Sequence, residues 1–333
     1  MKRDIIRHLV ATCLAGVCLV SSATAETRLR LGHYMAPEDF RARTAEHFAE
    51  QINASKAGLK VEVYPSESLV KGKEALQATS QGVVDIYTVF TGFVSGQVPV
   101  VNAFMLPFAP PTFDDEKLFT YANDPKVREI LDRNFAKMGI KYLGAINSSG
   151  GNGIFARKPI NGLSDFKGLK IRGPGGLSND ALISLGASVV VLSAAEQFLA
   201  LQTGTVDAIS TTYASYVNNK LSNVAPYQVD LSVVRAPYFL IMNQRKWQSL
   251  SGEQKAAVEN AVADTVKWSR VQTANEETAL ASKVGPLVKS SAKLSAEDYA
   301  RIKQATQSLR AKVIEQSGED GRAMLEVLDG LAD

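Results

Sequence analysis

Hydrophobic and polar positions along the first ninety residues follow two periods in turn. Residues 28–31 and 59–64 alternate as half-buried strands do, whereas residues 40–56 repeat their apolar positions at helical spacing. Residues 72–81 predict a second helix, and residues 83–89 predict a buried strand. This β-α-β-α-β order is typical of an α/β domain with a largely parallel sheet.

A second stretch of the same kind begins near residue 140. Its predicted elements are strands at 141–146, 169–171, 187–192 and 206–211, and helices at 178–185 and 194–203. Both stretches contain Ala-Leu-Gln followed shortly by Gly and by Val-Asp, at 75–85 and again at 200–207. In each copy the helix is predicted to end at a left-handed glycine, Gly82 or Gly204, directly before a strand. The short repeat favours two lobes of similar topology.

The C-terminal third of the chain is predicted to be helical. Ser251 and Gln254 have the spacing of a capping box, and the helical pattern then runs from 252 to about 283. At about 1.5 Å per residue this helix would be roughly 48 Å long. Because that exceeds the width of one ordinary domain, the helix is predicted to brace both lobes. Further helices are predicted after Ser295 and at 319–329.

The first 25 residues have the organisation of a secretory signal. Lys2, Arg3 and Arg7 make a basic start, residues 9–20 form an apolar run, and residues 23–25 read Ala-Thr-Ala, a small-residue cleavage motif. The apolar run is shorter than the roughly 20 residues that a membrane-spanning helix needs. A cleaved secretory signal is therefore predicted.

Composition narrows the classes of function once that signal is set aside. The chain has 333 residues, two cysteines and three histidines, and its length indicates about two domains. Cys13 and Cys18 both lie in the predicted signal, so no disulfide, thiol nucleophile or cysteine metal site is expected. The three basic residues and one aspartate of the signal account for +2 of the net charge of +3. The remaining chain is nearly neutral, which argues against a nucleic-acid partner.

Motifs of the common enzyme classes are absent or incomplete. Residues 151–156 match a loose G-x-G-x-x-A dinucleotide pattern, but residues 157–159 read Arg-Lys-Pro where a helix should open. No G-x-S-x-G, H-E-x-x-H or P-loop sequence occurs. His33 and His47 lack a partner pattern with Cys or Ser. Hence neither an enzyme activity nor a cofactor or metal is predicted.

Residues suited to binding collect instead where the predicted strands end, the place at which open α/β sheets bind ligands. The candidates at these ends are His33, Tyr34, Thr88, Phe90, Phe93, residues 147–152, Arg172 and residues 211–213. Arg172 closes the strand at 169–171 and precedes Gly-Pro-Gly-Gly at 173–176. An arginine in this position can hold a carboxylate by two parallel hydrogen bonds. The alternative is a surface arginine paired with a nearby acid.

Several segments taken together resemble the substrate-binding proteins of TRAP transporters, the tripartite ATP-independent periplasmic carriers of the C4-dicarboxylate-binding class. They are SDFKGLKIR at 164–172, EQFLAL at 196–201, QTGTVD at 202–207, YPS at 64–66 and the stretch 247–250. The resemblance covers nearly all of the chain after the predicted signal. It implies a two-lobed periplasmic binding protein fold, type II-like, that closes on an organic anion.

The resemblance also assigns roles to individual residues. Arg172 matches the arginine that grips the ligand carboxylate. Asn152 stands where a second arginine is frequent, and Thr211 stands where an asparagine is usual, with Ser210 in place of a common glutamate. The arginine that binds the ligand carboxylate is thus present, and Asn152 and Thr211 become candidates for hydrogen bonds to the ligand.

The departures from the family pattern favour one class of ligand. Aromatic walls are predicted for the cleft, formed by Tyr34, Phe90, Phe93 and the second-lobe tyrosines Tyr213 and Tyr216. The alternative is that several of these rings pack in the cores of the lobes. Compared with the family pattern, this chain has one cation fewer and more aromatic surface at the predicted site. Both differences favour an aromatic or branched monocarboxylate.

Four other functions stay open at this point. A C4-dicarboxylate would need a second cation, which Arg157 would supply by turning inward, and a sugar acid is a further possibility within the family. A secreted enzyme using the same cleft would need His33 as its base. A sensor's ligand-binding protein would share the fold.

The resemblance divides the chain into a signal and two lobes. Residues 1–25 are the signal, 26–148 with about 238–277 form lobe I, and 149–237 with about 278–333 form lobe II. The predicted partners are a small carboxylate and the membrane subunits of a TRAP transporter, and the protein is predicted to be a monomer.

Overall fold

The computed structural model describes residues 26–107, 114–148, 151–233 and 235–331, and the predicted signal lies outside the described residues. The strands in these ranges are β1 (Thr27–His33), β2 (Leu59–Tyr64), β3 (Ile86–Phe90), β4 (Ile140–Ser148), β5 (Asn152–Ala156), β6 (Lys170–Gly173), β7 (Ser188–Val191), β8 (Ala208–Thr212), β9 (Tyr227–Val229), β10 (Pro237–Asn243) and β11 (Ser290–Ala292). The α-helices are α1 (Phe40–Ala54), α2 (Ala75–Gln81), α3 (Thr91–Val94), α4 (Asp115–Asn123), α5 (Pro125–Ala136), α6 (Gly176–Ser184), α7 (Gln197–Thr203), α8 (Tyr213–Asn218), α9 (Gln244–Ser249), α10 (Gly252–Leu287), α11 (Ala296–Thr306) and α12 (Leu309–Gly330).

The first sheet, with the helices on its faces, is called lobe I. Its strand order is β2-β1-β3-β10-β4, with β1 parallel to β2 and β3, and β10 antiparallel to β3 and β4. The three N-terminal strands are parallel, as predicted, while β10 arrives from far along the chain. Helices cover both faces of the sheet and bury two apolar cores, one around Phe48 and Val258 and one around Tyr87 and Phe135.

The second sheet and its helices are called lobe II. The strand order is β11-β9-β5-β8-β6-β7, in which β6 is parallel to β7 and β8, and β5 is antiparallel to β8 and β9. The chain passes from lobe I to lobe II between Ser148 and Asn152, and it returns between Val229 and Pro237. This arrangement of two mixed α/β sheets confirms the predicted two-lobed binding protein fold.

The glycine repeat behaves as the sequence predicts. Gly82 after α2 has φ +80° and Gly204 after α7 has φ +77°, both in the left-handed region. Glycine takes this conformation without a Cβ penalty, which lets the helix stop and the next strand begin within four residues. The same device therefore feeds β3 in lobe I and β8 in lobe II.

Helix α10 links the two lobes. Its 36 residues start with the predicted capping box between Ser251 and Gln254 and would extend over about 54 Å. Val258 near its start belongs to a lobe I core, and Val284 near its end belongs to a lobe II core. The predicted brace is confirmed, and the helix continues past the predicted end to Leu287. Within the described ranges, no helix combines the length and the apolar sequence needed to cross a membrane.

The last helix differs from the sequence prediction, which assigns residues 278–333 to lobe II. Leu309, Val313 and Met324 of α12 lie in the lobe I core that also contains Tyr87 and Phe135. The hydroxyl of Tyr121 in α4 donates to the carbonyl of Met324 at 2.9 Å. The assignment to lobe II is wrong for α12, because its apolar side chains are buried against lobe I.

Candidate functional site

A cavity of about 40 Å³ lies between the two lobes, with room for about three water molecules. Lobe I contributes three aromatic side chains to its wall, whereas lobe II contributes mostly polar ones. The lining residues are Tyr34, Phe90 and Tyr238 from lobe I, and Asn152, Arg172, Pro174, Ala194, Gln197, Ser210, Thr211, Thr212 and Ser215 from lobe II.

Strand geometry brings these residues to one place. Phe90, Arg172 and Thr211 stand at or near the carboxyl ends of β3, β6 and β8, which is where open α/β sheets bind ligands. Tyr34 follows β1 directly. Tyr238 stands near the beginning of β10, and because that strand is antiparallel to β3, its register places Tyr238 opposite Phe90.

Arg172 is a buried cation that no acidic side chain pairs with among the described residues. Its side chain is 6% exposed. Nε donates to the carbonyl of Leu192 at 2.9 Å, and Nη1 donates to the carbonyl of Ser210 at 2.8 Å. Burial lowers the pKa of Arg172 to about 10, an effect that nearby Tyr34 and Tyr238 and the charge of Glu196, which makes no ion pair with Arg172, partly offset. The guanidinium therefore stays charged at neutral pH and faces the cavity.

A second buried arginine, Arg41 of α1, lies behind the lobe I wall and is paired. Its guanidinium makes a two-point ion pair with Asp39, with Nε 2.8 Å from Oδ1 and Nη2 in contact with Oδ2. Asp39 also caps α1 by accepting from the backbone N–H of Arg41 at 2.9 Å. Burial alone would raise the pKa of Asp39, but the charge and hydrogen bonds of Arg41 outweigh it and hold that pKa low.

Arg41 is connected to the cavity wall by hydrogen bonds through two phenols. Its Nη1 donates to the hydroxyl of Tyr238 at 2.7 Å, and that hydroxyl lies 3.0 Å from the hydroxyl of Tyr34. The guanidinium is also 3.5 Å from the hydroxyls of Thr212 and Ser215 in lobe II. The network Asp39–Arg41–Tyr238–Tyr34 therefore gives the aromatic wall a fixed polar edge.

The polar wall of lobe II is held by its own hydrogen bonds. The hydroxyl of Thr211 donates to Oε1 of Gln197 at 3.1 Å, and both side chains are buried. The hydroxyl of Ser232 donates to Oδ1 of Asn152 at 3.1 Å, which ties Asn152 to the segment that returns to lobe I. These contacts orient amide and hydroxyl groups around Arg172.

Backbone of the two lobes meets beside the cavity. A Cβ atom built on Gly92 of α3 would lie 2.4 Å from the carbonyl oxygen of Pro174, and one built on Gly175 would lie 2.6 Å from the carbonyl oxygen of Gly92. No side chain fits at these distances. Glycine at both positions is what allows lobe I and lobe II to approach this closely.

Five of the eight predicted site residues line the cavity together, and three do not. Tyr34, Phe90, Asn152, Arg172 and Thr211 belong to the wall, whereas Phe93, Tyr213 and His33 lie outside it. Phe93 packs behind the wall, with its ring centroid 5.4 Å from that of Tyr34 and 5.8 Å from that of Phe90.

The second-lobe tyrosines are placed differently from the prediction. Tyr213 packs on Phe155 and next to Gly151, where the chain crosses between the lobes, and Tyr216 is fully buried with its ring stacked on Phe155. Both rings therefore fill the lobe II core near the crossing instead of walling the cavity. Their sequence positions after β8 favour the wall, but α8 begins at Tyr213 and turns them away.

His33 and Arg157 do not face the cavity either. His33 is fully buried, and that burial lowers the pKa of its imidazole to about 4, so the ring is neutral at physiological pH. Arg157 lies near Asp207 at 3.8 Å with 42% of its side chain exposed. The inward turn of Arg157 that would serve a second carboxylate does not occur.

A cluster of charged groups stands where the chain returns to lobe I. Nη1 of Arg235 lies 2.6 Å from Oδ2 of Asp115 in α4 and 3.1 Å from Oε1 of Glu277 in α10. Burial raises the pKa of Glu277 to about 8, and the neighbouring Asp115 adds to this effect while Arg235 opposes it. Asp115 also accepts from the hydroxyl of Ser148 at the end of β4. Two carboxylates thus share one arginine at the junction of the lobes.

Among the site residues that the sequence analysis missed are Arg41, Tyr238 and Gln197. Arg41 is inside a helix pattern, and its only local signal is Asp39 two residues earlier. Tyr238 begins a strand far along the chain, and nothing in the sequence pairs it with Tyr34. The apolar run 237–242 could have indicated the strand, though not its neighbours.

Comparisons with known proteins agree on the family. The family model described as bacterial extracellular solute-binding protein, family 7 (DctP), matches residues 31–317. The sialic acid-binding periplasmic protein SiaP of Vibrio cholerae is 28% identical over 247 residues, which cover 73% of this chain and 75% of that one. The C4-dicarboxylate-binding periplasmic protein DctP of Rhodobacter capsulatus is 26% identical over 273 residues, or 81% of each chain.

A solved structure has the same fold. The Bordetella pertussis extracytoplasmic solute receptor DctP7, which binds pyroglutamic acid, superposes with a TM-score of 0.81 at 22% identity and covers 90% of this chain and 99% of that one. The family and these relatives are receptors for solutes, not enzymes. Because the family match spans both lobes, crossings between them and the cavity, the chain belongs to the family 7 bacterial extracellular solute-binding proteins, the solute-binding proteins of TRAP transporters.

Proposed function

We propose that this protein is a periplasmic receptor that captures a small organic acid between its lobes and delivers it to the membrane subunits of a TRAP transporter. The observation that carries the proposal is Arg172, a buried cation on the cavity wall with no acidic partner among the described residues. A carboxylate from the ligand would supply the missing countercharge through charge-assisted hydrogen bonds. The predicted signal at 1–25 and the periplasmic location of the named relatives support the location.

The charges and rings of the cavity wall favour an aromatic or branched monocarboxylate. Arg41 is the other buried arginine nearby, and Asp39 already neutralises it, so one countercharge is missing rather than two. Tyr34, Phe90 and Tyr238 provide apolar ring surface opposite Arg172. Such a surface suits the body of an acid whose single charge lies at one end.

A C4-dicarboxylate or a sugar acid is the second candidate. The relatives described above bind sialic acid, a C4-dicarboxylate and pyroglutamic acid by name, so the number of carboxylates varies within the family. Polar groups of Thr211, Gln197 and Asn152 on lobe II favour a ligand with hydroxyl or amide groups near its carboxylate. A second carboxylate would lack a free cation among the described residues of the wall.

A single panel of acids separates these candidates. Benzoate, 3-methylbutanoate, L-pyroglutamate and succinate are compared by thermal shift and then by calorimetric titration, because a ligand that binds the native state stabilises it in proportion to the logarithm of its concentration over Kd. A larger stabilisation by the monocarboxylates is expected. Succinate binding most tightly would favour the second candidate.

Removing Arg172 tests the proposal itself. Arg172→Ala is expected to weaken the best acid of the panel by about 2–5 kcal/mol, or roughly 30- to 5,000-fold in Kd, because the bound carboxylate loses its partner in a buried site. The matched control is Arg157→Ala, which removes an arginine from the exposed side of lobe II and should leave Kd unchanged. Undiminished affinity in Arg172→Ala would contradict the proposal.

A further inference from the structure

The hydroxyls of Tyr34 and Tyr238 form a hydrogen-bonded pair in the lobe I wall, 3.0 Å apart. Nη1 of Arg41 donates to the Tyr238 oxygen at 2.7 Å, and its guanidinium carbon lies 5.2 Å from the centre of the Tyr238 ring. A guanidinium carries donors and no acceptor, so the Tyr238 oxygen must accept this hydrogen bond. Asp39 holds Arg41 in place by the two-point ion pair, which fixes the direction of the bond.

The two hydroxyls have one hydrogen more than the bond between them uses. Two phenols carry two hydroxyl hydrogens, and one of them lies between the two oxygens. No acceptor for the other hydrogen is recorded among the described residues. Burial raises the pKa of Tyr34 well above its usual value, so its phenol stays protonated and the count holds at neutral pH. The spare hydrogen belongs to a residue of the cavity wall, because both tyrosines line it.

The direction of the bond between the two phenols decides which tyrosine offers that hydrogen, and the Tyr34 hydroxyl donates to the Tyr238 oxygen. A hydroxyl that accepts from a cation is polarised, and its own hydrogen becomes a stronger donor to a third group, since chained hydrogen bonds strengthen one another. Tyr238 receives the Arg41 bond, and Tyr34 does not. With bonds accepted from both Arg41 and Tyr34, both lone pairs of the Tyr238 oxygen are used, and its own hydrogen points away from the pair.

We propose that Tyr238 donates this hydrogen bond from lobe I to the same carboxylate that Arg172 holds from lobe II, with Arg41 as the residue that positions the donor. The proposal rests on the proposed function, since it requires a carboxylate on Arg172. Tyr238 and Arg172 line one cavity of about 40 Å³ from opposite sides, which leaves room for one small group between them.

The arrangement makes Tyr238 a determinant of specificity and of closure. A phenol donating to an ionised oxygen makes a short, charge-assisted bond, whereas an ammonium or another donor group at that point would leave both Tyr238 and Arg172 unsatisfied. The bond to Tyr238 also forms only when the lobes come together around the ligand. A ligand stabilises the closed state by the contacts it makes in that state alone.

The pair contains its own matched control, because each phenol is changed by one oxygen atom. Tyr238→Phe removes the donor and keeps the ring, and Tyr34→Phe leaves Tyr238 with both its hydrogen and the Arg41 bond. For the acid of the panel that binds best, Tyr238→Phe is expected to raise Kd roughly 10- to 100-fold, the range for a hydrogen bond to a charged group. Tyr34→Phe keeps the ring of this wall residue and is expected to raise Kd by a smaller factor than Tyr238→Phe.

The outcomes separate this proposal from the one on which it rests. The assignment of Tyr238 would be overturned by equal losses of affinity in both variants, by a larger loss in Tyr34→Phe or by no loss in Tyr238→Phe. In each of these outcomes Arg172→Ala would still weaken binding, so the carboxylate site itself would stand. An Arg172→Ala protein with unchanged affinity would instead overturn the carboxylate site as a whole. Unfolding in denaturant without ligand, measured on each variant, verifies that the comparison is made between folded proteins.

Arg41 is tested as a positioning residue by a double-mutant cycle. Arg41→Lys keeps a positive charge beside Asp39 but lacks the planar geometry that reaches both Asp39 and Tyr238. It is expected to raise Kd severalfold in the wild-type background and to have no further effect on Kd in the Tyr238→Phe background, because its route to the ligand is then gone. The same loss in both backgrounds would show that Arg41 acts on the lobe and not through Tyr238.

Discussion

Three largely buried arginines lie at or near the junction of the lobes, and they differ in the number of carboxylates that form ion pairs with them. Arg172 on the lobe II wall has none among the described residues. Arg41 behind the lobe I wall has Asp39, and Arg235 at the return crossing has Asp115 and Glu277. The three side chains have the same chemistry, so the difference is in what surrounds them.

The number of carboxylates paired with each arginine distinguishes the two structural arginines from the one that we propose binds the ligand. Withdrawing a charged group from water costs several kcal/mol, and a fold normally offsets that cost with a countercharge and hydrogen bonds. The charge of Arg41 is compensated by Asp39. Arg235 pairs with two carboxyl groups, of which Glu277 has its pKa raised to about 8 and is therefore largely protonated at neutral pH. Arg172 has backbone carbonyls only, which leaves its charge for a ligand to compensate.

Removing the carboxylate beside Arg41 breaks this comparison most directly. Asp39→Asn keeps the cap on α1, because the amide oxygen still accepts from the backbone N–H of Arg41, but it leaves Arg41 without a countercharge in a buried place. The free energy of unfolding is expected to fall by about 3–5 kcal/mol, as for other broken buried ion pairs. Unfolding in denaturant without ligand measures it.

Asp124→Asn is the matched control for that experiment. Asp124 also caps a helix, α5, by accepting from the backbone N–H groups of Lys126 and Val127, and it makes no ion pair among the described residues. It is expected to cost less than about 1 kcal/mol. Similar losses in Asp39→Asn and Asp124→Asn would mean that Asp39 acts as a cap and not as the partner of Arg41.

Keeping the lobes apart sharpens the comparison, because Arg172 and the lobe I wall stand on different lobes and line one cavity. In Gly92→Ala the new methyl group would lie 2.4 Å from the carbonyl oxygen of Pro174, so one lobe must shift. Overpacking of this kind costs about 1–3 kcal/mol, and we expect Kd for the best acid of the panel to rise roughly 5- to 150-fold by titration. Gly96→Ala, with no atom within 4 Å of the new methyl group, should leave Kd unchanged. Equal affinities in the two variants would show that close approach at Gly92 is not needed for binding.

Much of the fold and half of the site follow from local sequence patterns. The helical spacing of α1, the glycines that end α2 and α7, and the capping box of α10 are properties of a few adjacent residues, and the structure has them where the sequence predicts them. Arg172 is recognisable for the same reason, since a strand end followed by small residues is a local feature. The strand-end rule then brings Tyr34, Phe90 and Thr211 to the same cavity.

The remainder depends on long-range contacts that no local pattern encodes. Tyr238 reaches the site because β10 inserts between β3 and β4, and Arg41 matters because α1 packs beneath Tyr238. Tyr213 follows a strand end as Tyr34 does, yet the helix that starts at Tyr213 turns its ring toward the crossing. Packing of α12 on lobe I is likewise a tertiary contact, which the order of elements along the chain does not specify.

The smallest effect is expected at Arg235, the arginine with two carboxylates. Because burial raises the pKa of Glu277 to about 8, the folded protein binds a proton that the unfolded chain releases near pH 4.5, and stability is lost as the pH rises from there through about 8. Glu277→Gln mimics the protonated form, so relative to wild type its free energy of unfolding should grow with pH, by about 1 kcal/mol between pH 6.5 and 7.5. Glu276→Gln changes the adjacent carboxylate, which pairs with Arg43, and should differ from wild type by an amount that does not vary over this range. Parallel pH profiles for wild type and Glu277→Gln would mean that both carboxylates of the cluster are ionised, with Arg235 compensating the two of them.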